Sequence, residues 1–199
     1  MEKPTKEYKR RLESRRRLFF SRGKLESLCD MLKRMKLCYG GRDCIVEKVK
    51  KEVVTHTVDD FYFDVLSVAA FLKSRGFQNR HIAIVGENSY NWLTAFFAAS
   101  CLGAVAVPID KELTDPEIAK LCKKADCDAL FFSRTYKNAA LGCKTKGDFL
   151  SVCLDKSSAD LTFEAVLFEG RKLLERIGDE NELLCAKPEN PAAIIFTSG

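Results

Sequence analysis

Three short stretches carry residue types and spacings that could do chemistry. The first is Ile194-Ile195-Phe196-Thr197-Ser198-Gly199, an apolar run that passes directly into a small, hydroxylated turn containing glycine. A turn of this kind behind a sheet strand presents unpaired backbone N–H groups. Glycine admits a ligand close to the chain and hydroxyls add donors, a combination that suits phosphate oxygens. It is not a Walker-type loop, because GxxxxGK[ST] puts its Ser or Thr after a lysine. The tripeptide alone is common; its place behind Ala192-Ala193-Ile194-Ile195-Phe196 is what gives it weight.

The second stretch is Gly86-Glu87-Asn88-Ser89-Tyr90-Asn91-Trp92. It lies between a strand and a helix, where open α/β sheets gather their ligands. It lacks the glycines of a dinucleotide fingerprint. The structural alternative is a tight turn at Gly86, an Asn cap and a core Trp92, and this is the favoured expectation. The third is Val107-Pro108-Ile109-Asp110-Lys111-Glu112-Leu113. Its charges could meet a ligand, but the expected role of Asp110 and Glu112 is to bond nearby backbone and fix the loop.

These stretches need a frame. His81-Ile82-Ala83-Ile84-Val85, Ala104-Val105-Ala106-Val107, Ala129-Leu130-Phe131-Phe132, Leu150-Ser151-Val152-Cys153-Leu154 and Ala192–Phe196 read as five buried strands. Helices are expected between them, one with a cap at Asn88 or Ser89, one at Thr114-Asp115-Pro116-Glu117 and one from Thr162 to Ile177. Residues between the third and fourth strands read as a loop, and 179–190 as a polar connection. Apolar strands without alternation, separated by helices, predict an α/β fold: a mostly parallel sheet with helices on both faces. Ahead of it, Cys44–Val49 and Val53–His56 read as two short strands, and a helix capped by Thr57 or Asp59 runs to about Arg75.

Composition narrows the class. Of 199 residues, 46% are hydrophobic and 31% charged, an ordinary globular balance. No apolar run approaches the ~20 residues of a membrane-spanning helix. Nine cysteines without CxxC spacing, and only two histidines, His56 and His81, argue for reduced thiols rather than zinc. The net charge of +5 hides an asymmetry, since residues 1–51 hold 17 Lys or Arg against 7 Asp or Glu. The helix-prone stretch 1–37 could dock on an anionic surface or pack its few apolar residues inward, and packing is the favoured expectation.

The segments Ile82–Trp92, Val107–Leu113 and Ile194–Gly199 stand in the order found in AMP-forming acyl-CoA synthetases. From about residue 44 to 199 the chain resembles the N-terminal part of these adenylate-forming enzymes, and Phe163–Leu174 resembles their long-chain fatty acid branch. Residues 1–43 read from their charge and helix propensity as a basic helical N-terminal region, which the resemblance does not cover; over 44–199 the resemblance implies a partial, incomplete AMP-binding (adenylation) domain. It implies a ligase that activates a carboxylic acid, of long-chain fatty type, with ATP and magnesium. The acyl-adenylate is then passed to coenzyme A. The family's phosphate loop reads TSGTTGxPKG, and Thr197, Ser198 and Gly199 correspond to its first three positions as nucleotide-binding residues. No catalytic residue or metal ligand is assigned within this chain, which is expected to be inactive alone; His56 and His81 are expected to be structural. The partners implied are the small-molecule acid, ATP and CoA, with no nucleic acid; the reduced thiols point to the cytoplasm, and the basic N-terminus allows peripheral association at an inner membrane surface. A competing reading is a non-enzymatic binding module whose basic N-terminus engages anionic membrane or nucleic acid.

Overall fold

The computed structural model describes residues 5–21, 23–49, 51–143, 148–155 and 161–197. The chain divides into two compact units, Met1–Tyr62 and Phe63–Gly199.

In the first unit, α1 (Lys6–Ser21) and α2 (Leu28–Tyr39) precede an antiparallel hairpin of β1 (Asp43–Val49) and β2 (Glu52–Thr57). Gly23 separates the helices with φ +83°, a left-handed conformation that glycine adopts without penalty. Ser27 caps α2 by accepting from the Asp30 N–H at 3.1 Å. The connection is stitched by Arg34, which donates to the carbonyls of Gly23 (2.8 Å) and Lys24 (2.9 Å) and to Asp30 (2.8 Å). Phe19, Cys29, Leu32 and Cys38 are buried, while Leu18 and Phe20 stay exposed. Asp60 and Thr57 bond reciprocally at the start of α3 (Val58–Ser74), which confirms Thr57 as its cap.

The second unit holds the sheet. Its strands are β3 (His81–Val85), β4 (Val105–Pro108), β5 (Cys127–Phe132) and β6 (Leu150–Cys153), all parallel, in the order β4-β3-β5-β6. Their uninterrupted apolar runs follow from burial on both faces. On one face Ala83, Val85, Val107, Leu130 and Phe132 meet α5 (Asp115–Lys124) and α6 (Lys137–Cys143). On the other, α4 (Tyr90–Leu102) lies along β3 and β4, and Phe163 of α7 (Phe163–Leu174) packs edge-on against Phe131 at 6.4 Å. Phe131 and Phe163 are both fully buried, and each such side chain contributes about 1.5–3 kcal/mol. The helix α7 comes so close to α3 that a methyl group on Gly170 would lie 2.0 Å from the Ser67 carbonyl oxygen.

Several expectations need correction. Ala192–Phe196 is an extended edge segment joined to β4 by a single parallel bridge, Ala106 to Ala193, rather than a buried strand. It sits at the margin of the sheet, and Ile195 is 72% exposed. The loop expected after β5 contains α6, whose inward residues are the small Ala139, Ala140 and Cys143. The polar connection buries Leu183 and Leu184, and α7 ends at Leu174 rather than Ile177. Trp92 is half-buried rather than a core residue. It stacks on Phe96 one turn later, at 5.7 Å and 7°, because the first turn of α4 stands at the open edge of the sheet.

Candidate functional site

Parallel strands bring every following loop to one edge, and that carboxyl edge is tied together by a set of contacts between its loops. Behind β3, Gly86 is pressed against Ser133, the first residue after β5. Ser133 N–H donates to the Val85 carbonyl at 2.9 Å, and its buried hydroxyl accepts from the Glu87 N–H at 3.3 Å. A methyl group on Gly86 would lie 2.2 Å from that hydroxyl, so glycine is required there. Glu87 then reaches the loop after β4, where it pairs with Lys111 at 2.7 Å. Tyr136, in the turn after β5, donates its hydroxyl to the Lys111 carbonyl at 2.8 Å. Asp155, after β6, accepts from the Arg134 N–H.

The charges respond to this company. The hydrogen bond and charge of Glu87 raise the Lys111 pKa and keep the ammonium charged. Partial burial, reinforced by Glu87, raises that of Tyr136. Asp110 does what was expected of it: its carboxylate accepts from the Glu112 N–H at 3.0 Å and pins the turn. Glu112 itself stands 4.0 Å from Lys111. The helix behind Gly86 is capped by Ser89, which accepts from the Trp92 N–H at 3.2 Å. Thr114 donates both its N–H (2.8 Å) and its hydroxyl (2.6 Å) to Glu117 at the head of α5.

The segment ahead of Thr197 runs along β4 toward this edge. Ala106 N–H donates to the Ala192 carbonyl at 3.1 Å and Ile194 N–H to the Ala106 carbonyl at 2.9 Å, so the segment runs parallel to β4. Ser100 also donates to the Ala192 carbonyl, at 3.1 Å. Ile194 and Phe196 turn toward the core, with Lys124 over the Phe196 ring at 5.6 Å. Because the segment is parallel to β4, it leads toward the edge where Pro108, Val85 and Phe132 end, and Thr197 is exposed. Ser198 and Gly199 lie outside the described residues. His81 and His56 are engaged structurally: His81 Nδ1 is 2.6 Å from the Ala125 carbonyl and His56 Nε2 is 3.4 Å from Glu47. Among the described residues no group of three or more His, Cys, Asp or Glu is arranged to hold a metal ion.

Sequence reasoning missed Ser133 and Tyr136. Ser133 had a signal, since it follows an apolar strand just as Gly86 does. Tyr136 had none, because its partner is 25 residues away.

The family pattern described as AMP-binding enzyme matches residues 37–199. This chain belongs to the AMP-binding enzyme family. It is 24% identical over 162 residues to 4-coumarate–CoA ligase 2 of Nicotiana tabacum, covering 81% of this chain and 28% of that protein. The long-chain-fatty-acid-CoA ligase of Archaeoglobus fulgidus has a similar structure, with TM-score 0.68 and 15% identity over 86% of this chain and 34% of that one. The A-PCP didomain of carboxylic acid reductase from Segniliparus rugosus, solved in complex with AMP, gives TM-score 0.67 and 14% identity, covering 80% and 28%. At these identities the two structures establish the shared fold. This AMP-binding enzyme chain therefore spans about a third or less of the relatives named.

Proposed function

We propose that this chain supplies the first part of the adenylation domain of an AMP-forming acyl-CoA ligase acting on a carboxylic acid of long-chain fatty type. On this reading residues 44–199 belong to that domain and 1–43 form a basic helical region beside it. The observation that carries the reading is the run of Ala192–Ile194 along β4, in the same direction as the strands, with exposed Thr197 following it. The Thr197 and Ser198 hydroxyls and the Gly199 amide then act as donors to the ATP phosphates. Such donors position the triphosphate and offset its charge without reorganising during the reaction. An exposed threonine hydroxyl behind a strand-like segment fits a phosphate oxygen. Magnesium, when bound with ATP, neutralises phosphate charge, and coenzyme A supplies the thiol that accepts the acyl group. No residue of this chain is assigned to either.

The test is ATP–pyrophosphate exchange with a panel of carboxylic acids, on this chain and on a form lengthened to its relatives' size. The expected result is exchange by the lengthened form, strongest with long-chain acids, and none by the chain alone. ATP hydrolysis by the chain alone, or no exchange with any acid by the lengthened form, overturns the proposal.

The same enzyme is proposed to work in the cytoplasm, at an anionic membrane surface. Support comes from the surplus of Lys and Arg in residues 1–51 and from exposed Leu18 and Phe20 in α1. Salt-sensitive cosedimentation with anionic vesicles tests it, and binding unchanged by deleting 1–37 contradicts it. Among the described residues no helix is long and apolar enough to cross a membrane. The relatives named are enzymes or enzyme domains, which gives the non-enzymatic module no support.

A further inference from the structure

Away from the carboxyl edge, three thiols from separate elements meet. Cys122 lies near the end of α5, Cys127 opens β5 and Cys143 closes α6. They are 2%, 5% and 4% exposed. Their meeting has a cause in sequence. A methyl group on Gly142 would lie 3.3 Å from the Ala119 methyl, so α6 presses its backbone against α5 one turn before Cys122. Cys143, the next residue, is thereby carried against Cys122. A cavity of about 300 Å³ is lined by all three cysteines together with Ala119, Lys123 and Phe149. That volume is ample for a small oxidant, since a water molecule occupies about 30 Å³.

The three thiols are not equivalent. Hydrogen bonds to Cys127 and Cys143, with burial added, push the Cys122 pKa well up, so it stays protonated. The hydrogen bond from Cys122 stabilises a thiolate on Cys143 and lowers its pKa despite burial. Exposed Cys44 goes the other way: desolvation, with Asp60 and Asp43 nearby, raises its pKa. Reactivity toward peroxide follows the thiolate and its access.

We infer that Cys143 and Cys122 form a peroxide-responsive thiol pair that closes to a disulfide and staples α6 to α5. The Cys143 thiolate attacks one oxygen of a hydroperoxide and the O–O bond breaks. The departing oxygen takes a proton and leaves as water or alcohol, and Cys143 is left as a sulfenic acid. The Cys122 thiol, no longer hydrogen-bonded to a thiolate, gives up its proton to the departing oxygen as its sulfur attacks the Cys143 sulfur and the S–O bond breaks. Hydroxide leaves with the Cys122 proton as a second water. The two thiols give up two electrons and the peroxide accepts them.

The experiment treats the full native chain with hydrogen peroxide, alkylates it under denaturing, non-reducing conditions and maps the peptides by mass spectrometry. The expected result is a linked Cys122–Cys143 peptide and a fall from nine titratable thiols to seven, with Cys44 and Cys185 still free. In Cys122→Ser the link is lost and dimedone traps a sulfenic acid at Cys143, while Cys127→Ser retains the link. The unsubstituted chain alone decides the matter if a variant fails to fold. Oxidation of Cys44 or Cys185 ahead of Cys143, or a link from Cys122 to Cys127, overturns the inference.

Discussion

Gly86 and Ser133, 47 positions apart in the chain, are in backbone-to-side-chain contact where β3 and β5 leave the sheet. A methyl group on Gly86 would fall 2.2 Å from the Ser133 hydroxyl oxygen and 3.0 Å from its β-carbon. Through this contact the turn after β3 takes its position from the exit of β5. Glu87 is thereby held where it pairs with Lys111.

Gly86→Ala is expected to destabilise the second unit by about 1–3 kcal/mol, the usual cost of forcing atoms into a packed site. Ser133→Gly, which removes both clashing side-chain atoms, is expected to recover the steric part of that loss in the double variant and to leave the backbone cost of alanine at the Gly86 φ of +157°. Urea unfolding of the two single variants and the pair measures the coupling. Simple additivity would show that the contact does not carry the strain.

A second polar cluster holds the start of the helix that follows this turn. Asp64 of α3 accepts from the Tyr90 hydroxyl at 2.9 Å and from Arg171 of α7 at 2.8 Å. Tyr90 is the first residue of α4, so the cluster ties the start of that helix to α3 and α7. Asp64→Ala removes an acceptor shared by two donors and is expected to cost about 1–3 kcal/mol. Tyr90→Phe, which leaves the Arg171 bond in place, is expected to cost about 1 kcal/mol. Thermal unfolding distinguishes them, and equal losses would contradict the shared role.

Acid is expected to weaken the head of α5. Hydrogen bonds from the Thr114 hydroxyl and N–H lower the pKa of Glu117 below its ordinary 4.5. A carboxyl with a depressed folded pKa stabilises the fold fully above the unfolded value, and this contribution fades as pH falls through the folded value. Thr114→Ala should therefore lower the melting temperature more at pH 7 than at pH 3. The same deficit at both pH values would show that Glu117 contributes nothing through this contact.

Much of the frame was legible because each strand announces itself. Ile82–Val85 and Ala129–Phe132 are apolar without alternation, as burial on both faces demands, and Ser89, Thr114 and Thr162 stand where helices begin. The helix α6 was hidden because its buried side is built from Ala139, Ala140 and Cys143, too small to make an apolar stripe. Trp92 misled because size and apolarity do not reveal that a helix's first turn overhangs the sheet edge. Loop-to-loop partners such as Glu87 with Lys111 or Tyr136 with the Lys111 carbonyl depend on strand order. That order, β4-β3-β5-β6, is written in no local pattern.

The central claim is that Thr197 opens a cradle for the phosphates of ATP. It is tested most directly by ATP–pyrophosphate exchange in the lengthened form, comparing Thr197→Ala and Thr197→Ser with the parent. A hydrogen bond to a charged group contributes about 1.5–3 kcal/mol, so the Ala variant should lose about 10- to 150-fold in exchange at limiting ATP while Ser retains most of it. An Ala variant that exchanges at the parent rate, with an unchanged dependence on ATP, would contradict the account.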